Sequence, residues 1–116
     1  MSYITRDLET LVANASNEYA CVLVIGPRQV GKTTMLQHID PARAFVTLDD
    51  LDNRALAKRD PEFFLQSHPA PVLIDEIQYV PRLLDHIKIA IDEQRFRAPE
   101  RAKGMYWLTG SQAFGL

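Results

Sequence analysis

Four stretches of this chain are apolar almost without interruption: YACVLVI from Tyr19 to Ile25, AFVTL from Ala44 to Leu48, PVLI from Pro71 to Ile74 and MYWL from Met105 to Leu108. Continuous apolar runs of this length, rich in β-branched and aromatic residues, predict strands buried on both faces. The intervening segments have another rhythm. Arg6 to Asn14 carries Leu8, Leu11 and Val12 at helical spacing behind a cap at Thr5. Lys32 to Ile39 puts Met35, Leu36 and Ile39 on one face and meets a stop at Asp40-Pro41. Leu51 to Lys58 reads as a helix. Asp60-Pro61-Glu62 opens another, because Asp caps, Pro fits the first turn and Glu suits the helix dipole. Pro81 to Glu93 is amphipathic, with Leu83, Leu84, Ile87 and Ile91 on one stripe, and Arg95 to Lys103 reads as a charged loop. Strands that alternate with helices, each strand apolar throughout, predict an α/β fold: a parallel sheet covered by helices on both faces.

The first strand runs into GPRQVGKTT, residues 26 to 34, and a helix follows at once. This fits G-x-x-x-x-G-K-[ST], the phosphate-binding P-loop, in the strand-then-helix context the motif requires. The loop must curl so that successive N–H groups point at an anion. Gly26 and Gly31 suit that curl, and Pro27, Arg28, Gln29 and Val30 supply the backbone between them. Lys32 brings a cation to the β- and γ-phosphates. Thr33 offers a hydroxyl to the accompanying Mg²⁺, and Thr34 continues the helix start. The third strand ends in Asp75-Glu76. Ligands of open α/β sheets bind at the carboxyl ends of the strands. Asp75 is there a metal-holding acid and Glu76 a general base for an attacking water. The fourth strand ends in Thr109-Gly110-Ser111-Gln112, and a polar side chain there, Ser111 among the candidates, could face the γ-phosphate.

The chain has 116 residues, the size of one domain, and a net charge of -2, which leaves a nucleic-acid role unsupported. Cys21 is the only cysteine, so no internal disulfide forms, and its place in an apolar run suggests a buried, reduced thiol. No stretch is long enough to cross a membrane and no secretory signal opens the chain, so the expected location is the cytoplasm. His38, His68 and His86 lack metal-ligand spacing. A guanine nucleotide is disfavoured, since no Asn-Lys-x-Asp element occurs and Asn is found only at 14, 17 and 53. Arg95, Arg97 and Arg101 are better read as solvated charges than as arginine fingers. Arg6 near a base is better read as surface, and Tyr79 and Val80 as packing residues.

Taken together, these elements resemble the AAA+ branch of the P-loop ATPases. More narrowly, GPRQVGKTT, FVTLDDLDNRALAKRDPEFF, PVLIDEIQYVP and YWLTGSQAF resemble the N-terminal ATPase domain of bacterial and archaeal AAA/DUF4143 proteins, over nearly the whole chain. The resemblance implies a three-layer P-loop NTPase with strand order 5-1-4-3-2. ATP and Mg²⁺ are the implied ligands, with Lys32 and Thr33 on phosphate and metal, Asp75 on the metal, Glu76 as catalytic base, and a sensor among Thr109, Ser111 and Gln112. The chain stops shortly after its fourth strand. It is therefore expected to be a single, C-terminally truncated core over residues 1–116, whose fifth strand, second sensor and arginine finger lie beyond Leu116. The first strand then becomes an exposed apolar edge, open to self-association or to a C-terminal domain that completes the sheet. The functional expectation is Mg-ATP binding with hydrolysis; the alternative is a non-catalytic nucleotide-holding or interaction fragment.

Overall fold

A computed structural model of the chain describes residues 3–27 and 31–111, with side chains described from residue 7 onward. The strands are β1 (Cys21–Gly26), β2 (Ala44–Thr47), β3 (Val72–Asp75) and β4 (Tyr106–Ser111). The helices are α1 (Tyr3–Glu18), α2 (Lys32–Ile39), α3 (Leu51–Arg59), α4 (Pro61–Ser67) and α5 (Leu83–Arg97). All strand pairs are parallel, in the order β1-β4-β3-β2. This is the 1-4-3-2 part of the expected order.

Side-chain alternation along the central strands sorts the core into two layers. Val72 and Ile74 of β3, with Tyr106 and Leu108 of β4, face a large cluster completed by Phe64 and Leu65 of α4 and by Leu83, Ile87 and Ile91 of α5. Leu73 and Trp107 point to the opposite face, where Val12 of α1 and Met35 and Leu36 of α2 pack on them. The arrangement is therefore helix, sheet, helix, as the continuous apolar runs predicted.

Local chemistry sets most boundaries. Asp50 caps α3 by accepting from the Asn53 N–H at 2.9 Å, and Asp60 caps α4 by accepting from the Phe63 N–H at 3.1 Å, with Pro61 in the first turn. Three elements run differently from the sequence expectation. Helix α1 extends from Tyr3 to Glu18, so Thr5 lies inside it rather than at its cap, and no Gly or Pro interrupts the segment. Helix α5 begins at Leu83 and continues through Arg97, taking in the first part of the expected charged loop. Exposed pairs Arg95–Asp92, three residues apart, and Arg97–Glu93, four apart, support the extra turn, and it stops at Ala98, held extended (φ -152°) by the proline that follows. Strand β4 runs on past Leu108 through Thr109, Gly110 and Ser111, because β1 offers them partners at Val24, Ile25 and Gly26.

Strand β1 lies at the sheet edge, and the consequences reach its side chains. Leu23 and Ile25 are 45% and 52% exposed. Cys21 is half-buried rather than buried, and the desolvation it does experience pushes its thiol up to about 11. Among the described residues no helix is long and apolar enough to cross a membrane.

Candidate functional site

The carboxyl ends of β1, β3 and β4 meet the start of α2 at a cleft of about 250 Å³, lined by Gly31, Lys32, Thr33, Thr34, Asp49, Asp75 and Glu76. Each side chain arrives there for a local reason. Gly31 precedes α2 with φ 74° and no described atom within 4 Å of where a Cβ would sit. Its glycine identity thus answers a left-handed backbone rather than crowding. Gly26, by contrast, ends β1 in strand conformation and needs no such freedom. Lys32, the first residue of α2, is 7% exposed. Its ammonium donates to the carbonyls of Gly26 (3.0 Å) and Pro27 (2.8 Å) and reaches Ser111 Oγ at 3.5 Å.

Asp75 stands at the tip of β3 under three hydroxyls. Thr33 Oγ1 donates to Oδ1, Thr109 Oγ1 donates to the same oxygen at 2.7 Å, and Thr47 Oγ1 donates to Oδ2 at 2.7 Å. One strand from each side and the first turn of α2 therefore fix the carboxylate. A hydroxyl and a carboxylate side by side at a cleft form the hard oxygen donor set that Mg²⁺ prefers, so Thr33 and Asp75 fit that ion.

Glu76 follows in the left-handed region (φ 63°, ψ 51°), the one non-glycine with positive φ among the described residues, and its side chain is buried. This backbone turns the chain out of the sheet. The Glu76 N–H is then taken by Thr109 Oγ1 at 3.0 Å, while its carboxylate accepts from Ser111 Oγ at 2.7 Å and from Gln78 Nε2 at 3.4 Å.

Of the residues singled out from sequence, Lys32, Thr33, Thr34, Asp75, Glu76 and Ser111 meet at this place, beside Gly31. Gly26 and Pro27 join them through the Lys32 ammonium. Arg28, Gln29, Val30 and Gln112 lie outside the described residues, as does the side chain of Arg6. Of the two described sensor candidates, Thr109 is fully buried behind Asp75 and Ser111 touches both Lys32 and Glu76. Tyr79 and Val80 pack, Val80 in the core and Tyr79 beneath the Arg54 guanidinium at 3.6 Å. Arg95, Arg97 and Arg101 are exposed and line no part of the cleft.

Three participants escaped the sequence reading: Thr47, which orients Asp75; Asp49, which lines the cleft; and Gln78. A polar residue at the carboxyl end of any parallel strand was the available signal for the first two. A larger cavity of about 730 Å³ lies at the amino ends of the strands, around Ser16, Asp40, Arg43 and Trp107. Its buried cation is already satisfied: Arg43 bonds Asp40 and the carbonyls of Gly104 and Met105 and stacks over Trp107 at 4.0 Å. The smaller cleft, at the carboxyl ends of the strands, is the candidate site.

Comparison with known proteins bears on the fold and family. A family model described as AAA domain matches residues 18–116. The chain belongs to the AAA-domain family. Two curated relatives, uncharacterized proteins of Mycobacterium tuberculosis and Mycobacterium bovis, are each 32% identical to it over 89 residues. The match covers 75% of this chain and 20% of each relative, so this AAA domain spans about a fifth of the length of the curated relatives it matches. No solved structure matches. Family membership supports a nucleotide-binding, ATPase-like function in general for the domain, and the all-parallel α/β sheet is that of a P-loop NTPase.

Proposed function

We propose that this AAA domain binds Mg-ATP and hydrolyses it at the cleft above β1, β3 and β4. The convergence of Lys32, Thr33, Asp75, Glu76 and Ser111 within one hydrogen-bonded set carries this reading. In it, the backbone of Gly26, Pro27, Arg28, Gln29, Val30 and Gly31 cradles the phosphates, and the start of α2 at Lys32, Thr33 and Thr34 adds its N–H groups. Lys32 exchanges its carbonyl partners for the β- and γ-phosphate oxygens. Thr33 and Asp75 hold Mg²⁺, which supplies charge neutralisation on the β- and γ-oxygens. Glu76 takes the proton of the attacking water, and Ser111, bonded to Glu76 and within reach of Lys32, lies where the γ-phosphate is read.

A second reading is favoured by the edge of the sheet. Leu23 and Ile25 stand exposed on β1, whose outer side pairs with no described strand. In this reading the domain holds nucleotide and turns it over only after a second copy, or further chain, docks along that edge.

The deciding experiment is calorimetric titration with Mg-ATP alongside a phosphate-release assay, on the wild type, Lys32→Ala and Glu76→Gln. The hydrolytic reading expects Lys32→Ala to lose measurable affinity, and Glu76→Gln to bind as the wild type does while releasing phosphate at least about a hundredfold more slowly, as for removal of a general base. Wild-type affinity in Lys32→Ala removes the phosphate assignment. Binding without release by the wild type selects the second reading.

A further inference from the structure

Backbone pairing between β3 and β4 stops early. The ladder joins Val72, Leu73 and Ile74 to Tyr106, Trp107 and Leu108, and then Glu76 turns away from the sheet. Beyond that point side chains replace the backbone. Thr109 bonds Asp75 and the Glu76 N–H, and the next link is Gln78, in the one-turn 3₁₀ helix Ile77–Tyr79. Gln78 Oε1 accepts the Ser111 N–H at 3.2 Å, and Gln78 Nε2 donates to Glu76 Oε2 at 3.4 Å. Ser111 Oγ closes the ring on Glu76 Oε1.

We propose that Gln78 is a positioning residue that holds the Glu76 carboxylate in its working orientation and ties it to the end of β4. The proposal rests on the hydrolytic reading of the cleft and deepens it. The residue type is dictated by the ring. One end of the side chain must accept from an N–H and the other must donate to a carboxylate, and a primary amide of this length supplies both. Ser111 is a shared partner, because its hydroxyl also lies within reach of the Lys32 ammonium. A γ-phosphate that draws Lys32 and the Ser111 hydroxyl toward itself removes the Ser111 bond on Glu76. The Gln78 amide keeps its own bond to Glu76, and this 3.4 Å contact shortens as catalytic hydrogen bonds do when the substrate is bound.

The test compares two near-isosteric variants. Gln78→Glu keeps an acceptor for the Ser111 N–H but faces Glu76 with a second carboxylate. Gln78→Met has neither function. Phosphate release at saturating Mg-ATP, ATP affinity by calorimetry and the Ser111 amide resonance without added nucleotide are measured for both. The positioning role expects Gln78→Glu to lose at least about tenfold in turnover with affinity within about twofold of wild type, a loss confined to the transition state. It expects the Ser111 amide to stay in place in Gln78→Glu and to move upfield in Gln78→Met. If Gln78 only staples β4, Gln78→Glu retains the staple and turns over like wild type, which overturns the proposal. An equal fall in affinity and turnover overturns it as well. Wild-type turnover in Glu76→Gln overturns the hydrolytic reading itself, and that arm does not involve Gln78.

Discussion

Strands β1 and β3 are both apolar and pair in parallel through the same neighbour, β4, yet they end in different environments. In β3, Leu73 and Ile74 are 2% and 0% exposed. In β1, Leu23 and Ile25 are 45% and 52% exposed. An apolar run therefore specifies that a segment becomes a strand but not where in the sheet it lies. Position is set by the connections. The crossovers through α2 and α3 to α5 place β3 and β4 inside, and the segment that begins the sheet stays at its rim. The interior strand also carries the carboxylate proposed to hold the metal, because neighbours on both sides can fix it at the strand tip. Asp75 takes Thr47 from β2 and Thr109 from β4. An edge strand cannot be supported in that way.

The largest test of this contrast is one of stability. Ile74→Ala is expected to cost about 3–4 kcal/mol, the range for truncating a fully buried aliphatic side chain, and Ile25→Ala less than about 1 kcal/mol. Urea unfolding of the two variants measures both, and equal losses would break the contrast. A middling effect is expected of Thr109→Val. The change keeps the shape but removes the donor to Asp75 and the acceptor of the Glu76 N–H, so about 1–3 kcal/mol is lost, with weaker nucleotide binding through a loosened Asp75. A stability change below about 0.5 kcal/mol would show that the inner strand tip does not depend on its polar links. The smallest effect on folding belongs to the double variant Leu23→Lys, Ile25→Lys, expected within about 0.5 kcal/mol of wild type. Its readout is sedimentation: wild type self-associates with rising concentration through the exposed β1 edge and the lysine variant remains monomeric. Identical profiles would remove β1 as a docking edge.

The contrast also explains what was legible in the sequence. Helix α2 falls on Lys32–Ile39, where its spacing put it, because a glycine-bounded loop and Asp40-Pro41 mark both ends. The order of the four strands followed from the family resemblance and not from the apolar runs themselves. The overrun of β4 through Thr109-Gly110-Ser111 was hidden, since three polar or small residues do not look like a strand until β1 pairs with them. The overrun of α5 was hidden for a similar reason: its last turn, Arg95 to Arg97, has no buried residue to keep the period. Within the site, Lys32, Thr33, Asp75, Glu76 and Ser111 could be named because local motifs hold them. Thr47, Asp49 and Gln78 could not, because their roles come from neighbours across the sheet or from a turn whose direction depends on the left-handed backbone of Glu76.

The Lys32 ammonium has three hydrogens, and the Gly26 carbonyl, the Pro27 carbonyl and Ser111 Oγ account for all three. Under the Mg-ATP proposal, ligand capture at Lys32 is therefore a swap and not an addition: each phosphate oxygen that accepts a lysine N–H displaces one of these three acceptors. The net gain per contact is then the modest one of an exchange between hydrogen bonds. Arrival is then paced by release of these Lys32 contacts, so the observed binding rate is expected to level off with rising ATP, which stopped-flow mixing measures.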